Sequence, residues 1–435
     1  MMRLGHGTAF MPVTQGEAMG GYADREGGVR GTQDPLEVHA VVVDVTGGGD
    51  LHWALVVVDL VCVNRDAVLA VRDALLTQLG ISGVWLAATH THAGPESGCH
   101  PGGDVTPPAV MSRLVEASVS AARAATEAQA PGRLDAVRVE VKGLAGDRTM
   151  STTGPQGIPI DIVVASSHAE LLGLLVVTPV HPTVLGAENT LASADLSGGI
   201  RRALKRRFPD GPTGTPWVVT ATGAAGDIST RFSRRDREPR EIDRLGDVVA
   251  DAASGAIKDA LLAHTAGSAV ASADTPDASV ATRTVTLMVK QGDDPDGALL
   301  SSAPGPDLAV RDKRLLHVLR QGHEIATHRA ARHPATISIE IAVAHVSGVT
   351  FAAVPAELFL ALGTEIRRRA PVPEQTVVLG YTNGYLGYLP TRDSDVGYEV
   401  LVSPVAAGSG EQVVDVAVEL AHRTHETNDQ EQSLV

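Results

Sequence analysis

The apolar positions of the chain follow two patterns that alternate along most of its length. Short β-branched apolar runs predict buried strands, and apolar residues at helical spacing predict helices between them. In the first part of the chain the predicted elements are strands His39–Val45 and His52–Val58, helix Arg65–Leu79, strand Gly83–Thr89, helix Ala109–Ala128, strands Ala136–Val141, Ile160–Ala165 and Leu171–Thr178, helix Ala194–Phe208, strand Trp217–Thr222 and helix Ile242–Ala263. This alternation is typical of the α/β class.

The pattern is interrupted at His264–Thr282, where small and polar residues predict a surface connection (264–282). Beyond it the predicted elements are strand Thr284–Lys290, helix Leu308–Arg332, strands Thr336–Val346 and Val349–Val354, a helix from Ala356 and strand Thr376–Tyr381. The polar residues 426–435 predict a C-terminal tail. No internal repeat is visible in the sequence.

The amino-acid composition limits the classes of molecule that the protein is expected to bind. The chain of 435 residues has 36 Lys and Arg against 51 Asp and Glu, a formal charge of −15, which gives no general attraction to nucleic acid. Aromatic residues make up 3%, too few for a platform that stacks single-stranded bases. The basic run from Arg201 to Arg207 lies in a predicted helix, and we interpret it as a solvated face. We therefore expect no nucleic-acid partner.

Cysteine content and hydropathy indicate a cell compartment. With Cys62 and Cys99 as its two cysteines, the sequence offers no disulfide framework, and a reducing compartment fits. The N-terminal residues lack the apolar run of a signal peptide, and no stretch is long and apolar enough to span a bilayer. These features predict a cytoplasmic protein without a transmembrane segment.

The strongest chemical signal lies at the end of an apolar strand, where His90 and His92 alternate with threonines. Alternation along a strand places the two imidazoles on one face, and the following Gly-Pro turn leaves room for a ligand or a metal. A metal site and a pair of hydrogen-bonded histidines are equally compatible with this spacing.

Two further candidates follow other apolar strands. His181 comes after the run Leu171–Val180 and is a candidate for another imidazole ligand, although a lone histidine is more often structural. Glu357 follows a buried strand at the first turn of a predicted helix, where a carboxylate also complements the helix dipole. Each residue by itself therefore has a structural explanation as well as a chemical one.

Two loops complete the set of candidates. The segment Gly380–Thr391 holds three of the five tyrosines, and phenols bind metals or donate hydrogen bonds to an oxyanion. Ser229 follows a glycine-rich turn after a strand, where its hydroxyl either faces a ligand or caps the next helix. Cys99 and His100 are weaker candidates, because a packing role explains Cys99 equally well. The histidines between positions 317 and 333 fall on a predicted surface helix.

In this order along the chain, the motifs resemble the neutral ceramidase family, zinc-dependent amidases that cleave the N-acyl bond of ceramide. The matching segments are Met19–Ala23, Thr89–Pro95, His181–Thr183, Ser193–Gly198, Gly226–Ser229, Pro355–Glu357, Thr382–Thr391 and Tyr398–Glu399. The resemblance implies mixed β-sheets flanked by helices, in a single catalytic domain over residues 1–425.

The resemblance also implies roles for particular residues. By position in the family motifs, the Zn²⁺ ligands are His90, His181, Glu357 and Tyr388. The catalytic residues implied in the same way are Ser229, His92, Tyr398 and Arg148. The chain departs from the family at Ala356, where the family has glycine, and before Arg148, where it has asparagine. The implied partner is a small-molecule acyl amide or a lipid-like substrate, which these departures leave unidentified.

Three alternative functions compete with amide hydrolysis. A cytosolic zinc enzyme of the same fold would form or transfer an acyl or amide group, or cleave an ester, in small-molecule biosynthesis. A TIM-barrel amidohydrolase also carries two alternating histidines at a strand end. A noncatalytic homologue would keep zinc as a structural tether. Oligomeric state and reaction direction are not encoded in these motifs.

Overall fold

The strands of the protein form mixed sheets that are covered by helices. The computed structural model describes residues 1–46, 51–99, 105–149, 156–167, 170–211, 214–265, 278–290, 320, 322, 335–395 and 397–432. Within these residues, parallel and antiparallel neighbours occur together in each of the larger sheets. The α/β class with mixed sheets and flanking helices, expected from the sequence, is confirmed.

The first part of the chain builds one sheet and its helices. Its elements are β1 (Met2–Phe10), β2 (Gly31–Thr32), β3 (Glu37–Val45), β4 (Leu51–Val58), α1 (Arg65–Leu79), β5 (Gly83–Ala88), α2 (Pro108–Glu127) and β6 (Ala130–Pro131). The strand order is β5-β4-β3-β1-β6. β4 and β5 are parallel and joined through α1, whereas β1, β3 and β4 pair antiparallel.

The middle part of the chain builds a second sheet. Its elements are β7 (Arg133–Asp147), β8 (Gln156–Ser167), β9 (Glu170–Thr178), β10 (Leu191–Ala192), α3 (Asp195–Arg207), β11 (Trp217–Thr222), β12 (Ile228–Ser229) and α4 (Pro239–Thr265). The strand order is β11-β9-β8-β7-β12, and β9 and β11 are the parallel pair. β10 lies outside this sheet and pairs with β2.

The last part of the chain builds a third sheet. Its elements are β13 (Ala278–Met288), β14 (Thr336–Val346), β15 (Val349–Ala353), β16 (Glu357–Leu358), α5 (Leu360–Arg369), β17 (Thr376–Leu379), β18 (Tyr388–Leu389), α6 (Tyr398–Val402) and α7 (Ser409–Gln432). The strand order is β13-β14-β15-β17, and β15 and β17 are the parallel pair. The short strands β16 and β18 pair with each other.

The three sheets share one plan that the sequence does not reveal. In each, three antiparallel strands are followed by a helix that crosses to a parallel edge strand, and then by a long helix that packs on the first strands. The crossing helices are α1, α3 and α5, and the long helices are α2, α4 and α7. Hydrophobic patterning rather than residue identity specifies such a unit. The three sheets therefore repeat one arrangement of elements although no repeat is visible in the sequence.

The sheets pack on one another around a shared core. Trp53, Trp85, Phe351 and Leu379 belong to a buried cluster that draws side chains from all three sheets. The opposite face of each sheet packs on its own pair of helices, in three further clusters. Because the sheets meet face to face, the ends of their strands are brought close together.

The basic run on α3 is exposed at Lys205, Arg206 and Arg207, as expected of a solvated face, but it is buried at Arg201. Arg201 is 3% exposed and forms ion pairs with Asp59 (2.7 Å) and Glu37 (3.1 Å). The residues that follow it, Arg202, Arg206 and Arg207, pair with aspartates of α4. The run therefore joins one helix to its neighbour and to the first sheet.

Several predicted boundaries shift in the structure. The predicted connection 264–282 is shorter at both ends, because α4 continues to Thr265 and β13 begins at Ala278. The predicted helix Leu308–Arg332 lies outside the described residues, apart from positions 320 and 322. The polar segment expected as a tail is helical up to Gln432. Among the described residues, no helix has the length and apolar character needed to cross a membrane.

Candidate functional site

The candidate residues lie where the parallel strand pairs of the three sheets end. His90 follows β5, His181 follows β9 and Glu357 follows β15, so each sheet contributes one side chain. Hydrogen bonds join these ends: the Gly380 N–H donates to the Thr222 carbonyl (3.0 Å), and the Thr222 hydroxyl donates to the Thr89 carbonyl (2.7 Å). The carboxyl ends of parallel strands are a recurrent place for ligand sites.

The first two imidazoles are oriented by backbone carbonyls. The Nδ1–H of His90 donates to the Val61 carbonyl (2.6 Å), and the Nδ1–H of His181 donates to the Ala225 carbonyl (2.6 Å). Because a carbonyl only accepts, this arrangement assigns the Nδ1 proton of each ring and directs Nε2 towards the site. His90 itself has a φ of 63°, a left-handed conformation that turns the chain sharply at the end of the strand.

The Nε2 atoms of His90 and His181 lie close to the same oxygen of the Glu357 carboxylate. Glu357 Oε2 lies 3.4 Å from His90 Nε2 and 3.0 Å from His181 Nε2, and all three side chains are buried. Ligands bound at about 2.0–2.1 Å around a tetrahedral Zn²⁺ are separated from each other by about 3.3 Å. Two imidazole nitrogens and a carboxylate oxygen at these separations fit a zinc site in both chemistry and spacing.

The charges and hydrogen bonds around this cluster favour the protonation states in which its side chains bind a metal. Burial and the nearby Arg148 guanidinium lower the pKa of His181 from 6.5 to about 3, so the ring is neutral. The Tyr385 hydroxyl donates to Glu357 Oε1 at 2.5 Å, and the Tyr381 hydroxyl donates to Oε2 at 3.5 Å.

His92 lies beside the cluster and is itself a possible ligand. Its Nε2 is 3.1 Å from His90 Nε2, and the ligand atoms of His90, His92 and His181 lie within 4.8 Å of one another. Burial, together with His90 and His181, lowers the pKa of His92 well below 6.5. Its Nδ1 is buried and has no hydrogen-bond partner among the described residues. Two alternative ligand sets therefore share His90 and His181. One is completed by His92, and the other by Glu357 and Tyr388.

Tyr388 reaches the cluster through strand pairing and through Arg148. β16 and β18 pair in a register that sets Tyr388 directly opposite Glu357. One guanidinium nitrogen of Arg148 donates to the Tyr388 oxygen (2.9 Å) and to His181 Nε2 (3.1 Å). Arg148 Nε forms an ion pair with Glu399 at 2.9 Å. Burial raises the pKa of Tyr388 well above 10, an effect that Arg148 opposes.

The remaining sequence candidates lie at different distances from this centre. The Tyr398 ring is 6.1 Å from the Tyr388 ring, at the start of α6. The backbone of Ser229 bridges to His181, but its hydroxyl accepts a hydrogen bond from the Arg231 N–H (3.3 Å) and caps a short 3₁₀ helix. Ser229 thus has the capping contact that the sequence offered as its structural explanation.

Several contributors to the site carry no assigned role in the sequence analysis. Glu399, within a quoted motif, is the ion-pair partner of Arg148, and Tyr385 fixes Glu357. The tyrosine density of the loop was the available signal for Tyr385. The carbonyls of Val61 and Ala225 left no signal, because any residue supplies a backbone carbonyl.

The expectation that Cys62 and Cys99 provide no disulfide framework is wrong, and Cys99 is neither a free packing residue nor a free ligand. Cys99 forms a disulfide with Cys62, which adjoins the carbonyl that orients His90. His100, the other weak candidate, lies outside the described residues. Disulfides persist mainly in oxidising compartments, so this bond gives no support to the predicted cytoplasmic location.

Comparison with known proteins identifies the fold. No protein-family model matches the sequence, and no curated protein sequence matches it either. Among solved structures, one described as "Ceramidase complexed with C2" superposes with a TM-score of 0.73 and 19% identity, covering 98% of this chain and 75% of that one. The neutral ceramidase from Pseudomonas aeruginosa gives a TM-score of 0.70 and 18% identity, covering 97% and 74%. The chain therefore has the fold of the neutral ceramidases.

Proposed function

We propose that the protein is a zinc-dependent amidase that hydrolyses an N-acyl amide. The observation that carries this proposal is the meeting of His90, His181 and Glu357, one from each sheet, in a chain with a ceramidase fold. The substrate class follows from that likeness and is an acyl amide of lipid-like character.

The proposed ligands are His90, His181, Glu357 and Tyr388. Zn²⁺ held there would supply Lewis acidity, polarising the amide carbonyl and lowering the pKa of a coordinated water. Among the proposed ligands, metal binding by Tyr388 depends most on a neighbouring group, because its phenol oxygen already accepts a hydrogen bond from Arg148. Arg148 favours negative charge on that oxygen, which is the form in which a phenol binds a cation.

The other residues supply binding and proton transfer in this proposal. His92 is part-buried and neutral, so it is suited to accept a proton from the attacking water and then to pass that proton to the leaving amine. Arg148 contacts His181, Tyr398 contacts the Tyr388 ring, and both are suited to stabilise the developing oxyanion. Ser229, beside His181 in the backbone, is proposed to contact the substrate carbonyl after its capping bond to Arg231 is released.

Two of the alternative functions are less well supported. A TIM barrel is excluded for the described residues, which form open mixed sheets rather than a closed parallel barrel. A purely structural zinc tether does not require a charged Arg148 beside the ligands, or a buried His92 Nδ1 that has no partner in the described part of the chain. Acyl transfer would use the same groups, and product analysis distinguishes it from hydrolysis.

Metal content and turnover, measured on the same variants, test the proposal. We expect about one Zn²⁺ per wild-type chain, and loss of both metal and amide hydrolysis in His90→Ala and His181→Ala. Tyr388→Phe should weaken zinc binding, whereas His92→Ala should keep zinc and lose turnover. His52→Ala is the matched control, because His52 pairs with Asp44 in the first sheet, away from the site. Metal-independent hydrolysis, or wild-type zinc in His90→Ala, would contradict the proposal.

A further inference from the structure

An N-terminal segment that the proposed chemistry does not use wraps the loop that carries His92. The Gly20 N–H donates to the Gly94 carbonyl (3.1 Å), and Met19 forms an antiparallel bridge with Pro95. The Glu96 N–H donates to the Ala18 carbonyl (2.8 Å). Residues 18–20 therefore run antiparallel to the segment that follows His92, and residues 18–25 are here called the N-terminal clamp.

The clamp packs directly on the His92 ring. The Tyr22 ring meets the imidazole edge to face, with 4.8 Å between the ring centroids. Gly21, at a φ of 95°, approaches so closely that a Cβ there would lie 2.5 Å from His92 Cγ. Since His92 Nδ1 has no hydrogen-bond partner among the described residues, the orientation of the ring is set by these contacts, by the backbone and by the 3.1 Å contact of its Nε2 with His90 Nε2.

Arg25 fixes that backbone from the other side. One of its terminal guanidinium nitrogens donates to the His92 carbonyl at 2.6 Å, and the other donates to the Gly20 carbonyl at 2.7 Å. The guanidinium carbon also lies 5.1 Å from the centroid of the Tyr22 ring. A single planar side chain thus holds the carbonyl of His92, the clamp backbone and the ring that contacts the imidazole.

The clamp is anchored to the loop of His181 as well. The Tyr22 hydroxyl donates to the Leu185 carbonyl (2.8 Å), and Arg25 reaches the Gly186 carbonyl (3.5 Å). Burial lowers the pKa of Arg25, which means that holding a charged group here costs free energy. A residue needed only to fill space would not carry that cost.

We propose that Arg25 is a positioning residue. Through the His92 carbonyl and Tyr22 it holds the His92 imidazole beside the proposed metal ligands. The proposal rests on the function proposed above, in which His92 transfers a proton to the leaving group. Its physical basis is that a displacement of about 1 Å at a catalytic group costs about 100-fold in rate. The side chain of Arg25 touches neither the proposed ligands His90 and His181 nor Glu357 in any described contact.

The test compares Arg25→Ala, Arg25→Lys and the control Arg237→Ala. Arg237 is an exposed arginine of the same region, paired with Glu188. We expect Arg25→Ala to lower kcat by about 100-fold while KM, zinc content and the urea midpoint stay near wild type. Arg25→Lys should recover part of the rate, and added guanidinium ion should partly rescue Arg25→Ala. Unchanged kcat, or a rate loss that only follows lost zinc or lost folded protein, would overturn the proposal.

A readout independent of turnover separates this proposal from the proposed function. In protein carrying ¹³C-labelled histidine, the ring signal of His92, identified from His92→Gln, should shift or broaden in Arg25→Ala. The ring signal of His181 should stay in place, and neither signal should change in Arg237→Ala. A His92 signal identical to wild type overturns the positioning role whether or not the protein hydrolyses amides. A shifted signal in an enzyme without amidase activity supports the positioning role and counts against the proposed function alone.

Discussion

The buried ion pairs of Arg201 provide a sharp test of how the first sheet is joined to the second. The guanidinium of Arg201 binds both carboxylate oxygens of Asp59, at 3.1 and 2.7 Å, and also pairs with Glu37 at 3.1 Å. Asp59 is fully buried, and it also accepts a hydrogen bond from Thr89, the residue before His90. Removal of the guanidinium would leave this carboxylate without its counter-charge.

We therefore expect Arg201→Met to lower the free energy of unfolding by about 3–5 kcal/mol, the usual cost of leaving one partner of a buried ion pair alone. The adjacent Arg202 is the matched control, because its side chain is 39% exposed and pairs with the exposed Asp243. Arg202→Met should cost at most about 1 kcal/mol, since solvent screens such a pair.

Urea unfolding followed by circular dichroism measures both values. The double variant Arg201→Met with Asp59→Asn should be less destabilised than the sum of its single variants, because the uncompensated charge is then absent. Equal losses in Arg201→Met and Arg202→Met would refute the reasoning, and so would strictly additive losses in the double variant.

Two further predictions concern the disulfide and a buried carboxyl group. Cys62→Ser together with Cys99→Ser opens a loop with a sequence separation of 37, and a chain-entropy estimate gives a loss of about 4 kcal/mol in unfolding free energy. The urea midpoint should fall equally in this double variant and in reduced wild-type protein, and an unchanged midpoint would exclude a stabilising bond. Burial raises the pKa of Asp227 from 3.8 to about 7, against a hydrogen bond from the Leu360 N–H. The folded state thus binds the proton more tightly, so this contribution to stability is complete below about pH 4 and is lost as pH rises through 7. Asp227→Asn should remove that dependence, worth roughly 4 kcal/mol, and parallel stability profiles of variant and wild type would contradict it.

Much of the fold and of the site was accessible from local sequence patterns. The strands that precede His90, His181 and Glu357 were predicted because a buried strand needs only a short apolar run. The placement of these residues at strand ends followed directly from that pattern. Motif order then grouped them with Tyr388 and Arg148, whose side chains lie together in the structure. The sequence by itself therefore determined which residues are available to the site and on which element each one lies.

Only the tertiary structure decided which groups meet. Three contacts join segments that are far apart along the chain. They are the disulfide of Cys62, the buried ion pair of Arg201 and the hydrogen bond from Arg25 to the His92 carbonyl. The threefold plan of the sheets was hidden for a related reason, since each unit shares a hydrophobic pattern and not residue identities. Periodicity reports which face of an element is buried, but the partner on that face depends on how whole sheets pack. Three sheets sharing one core bring their strand ends to a common point, and that packing creates the site.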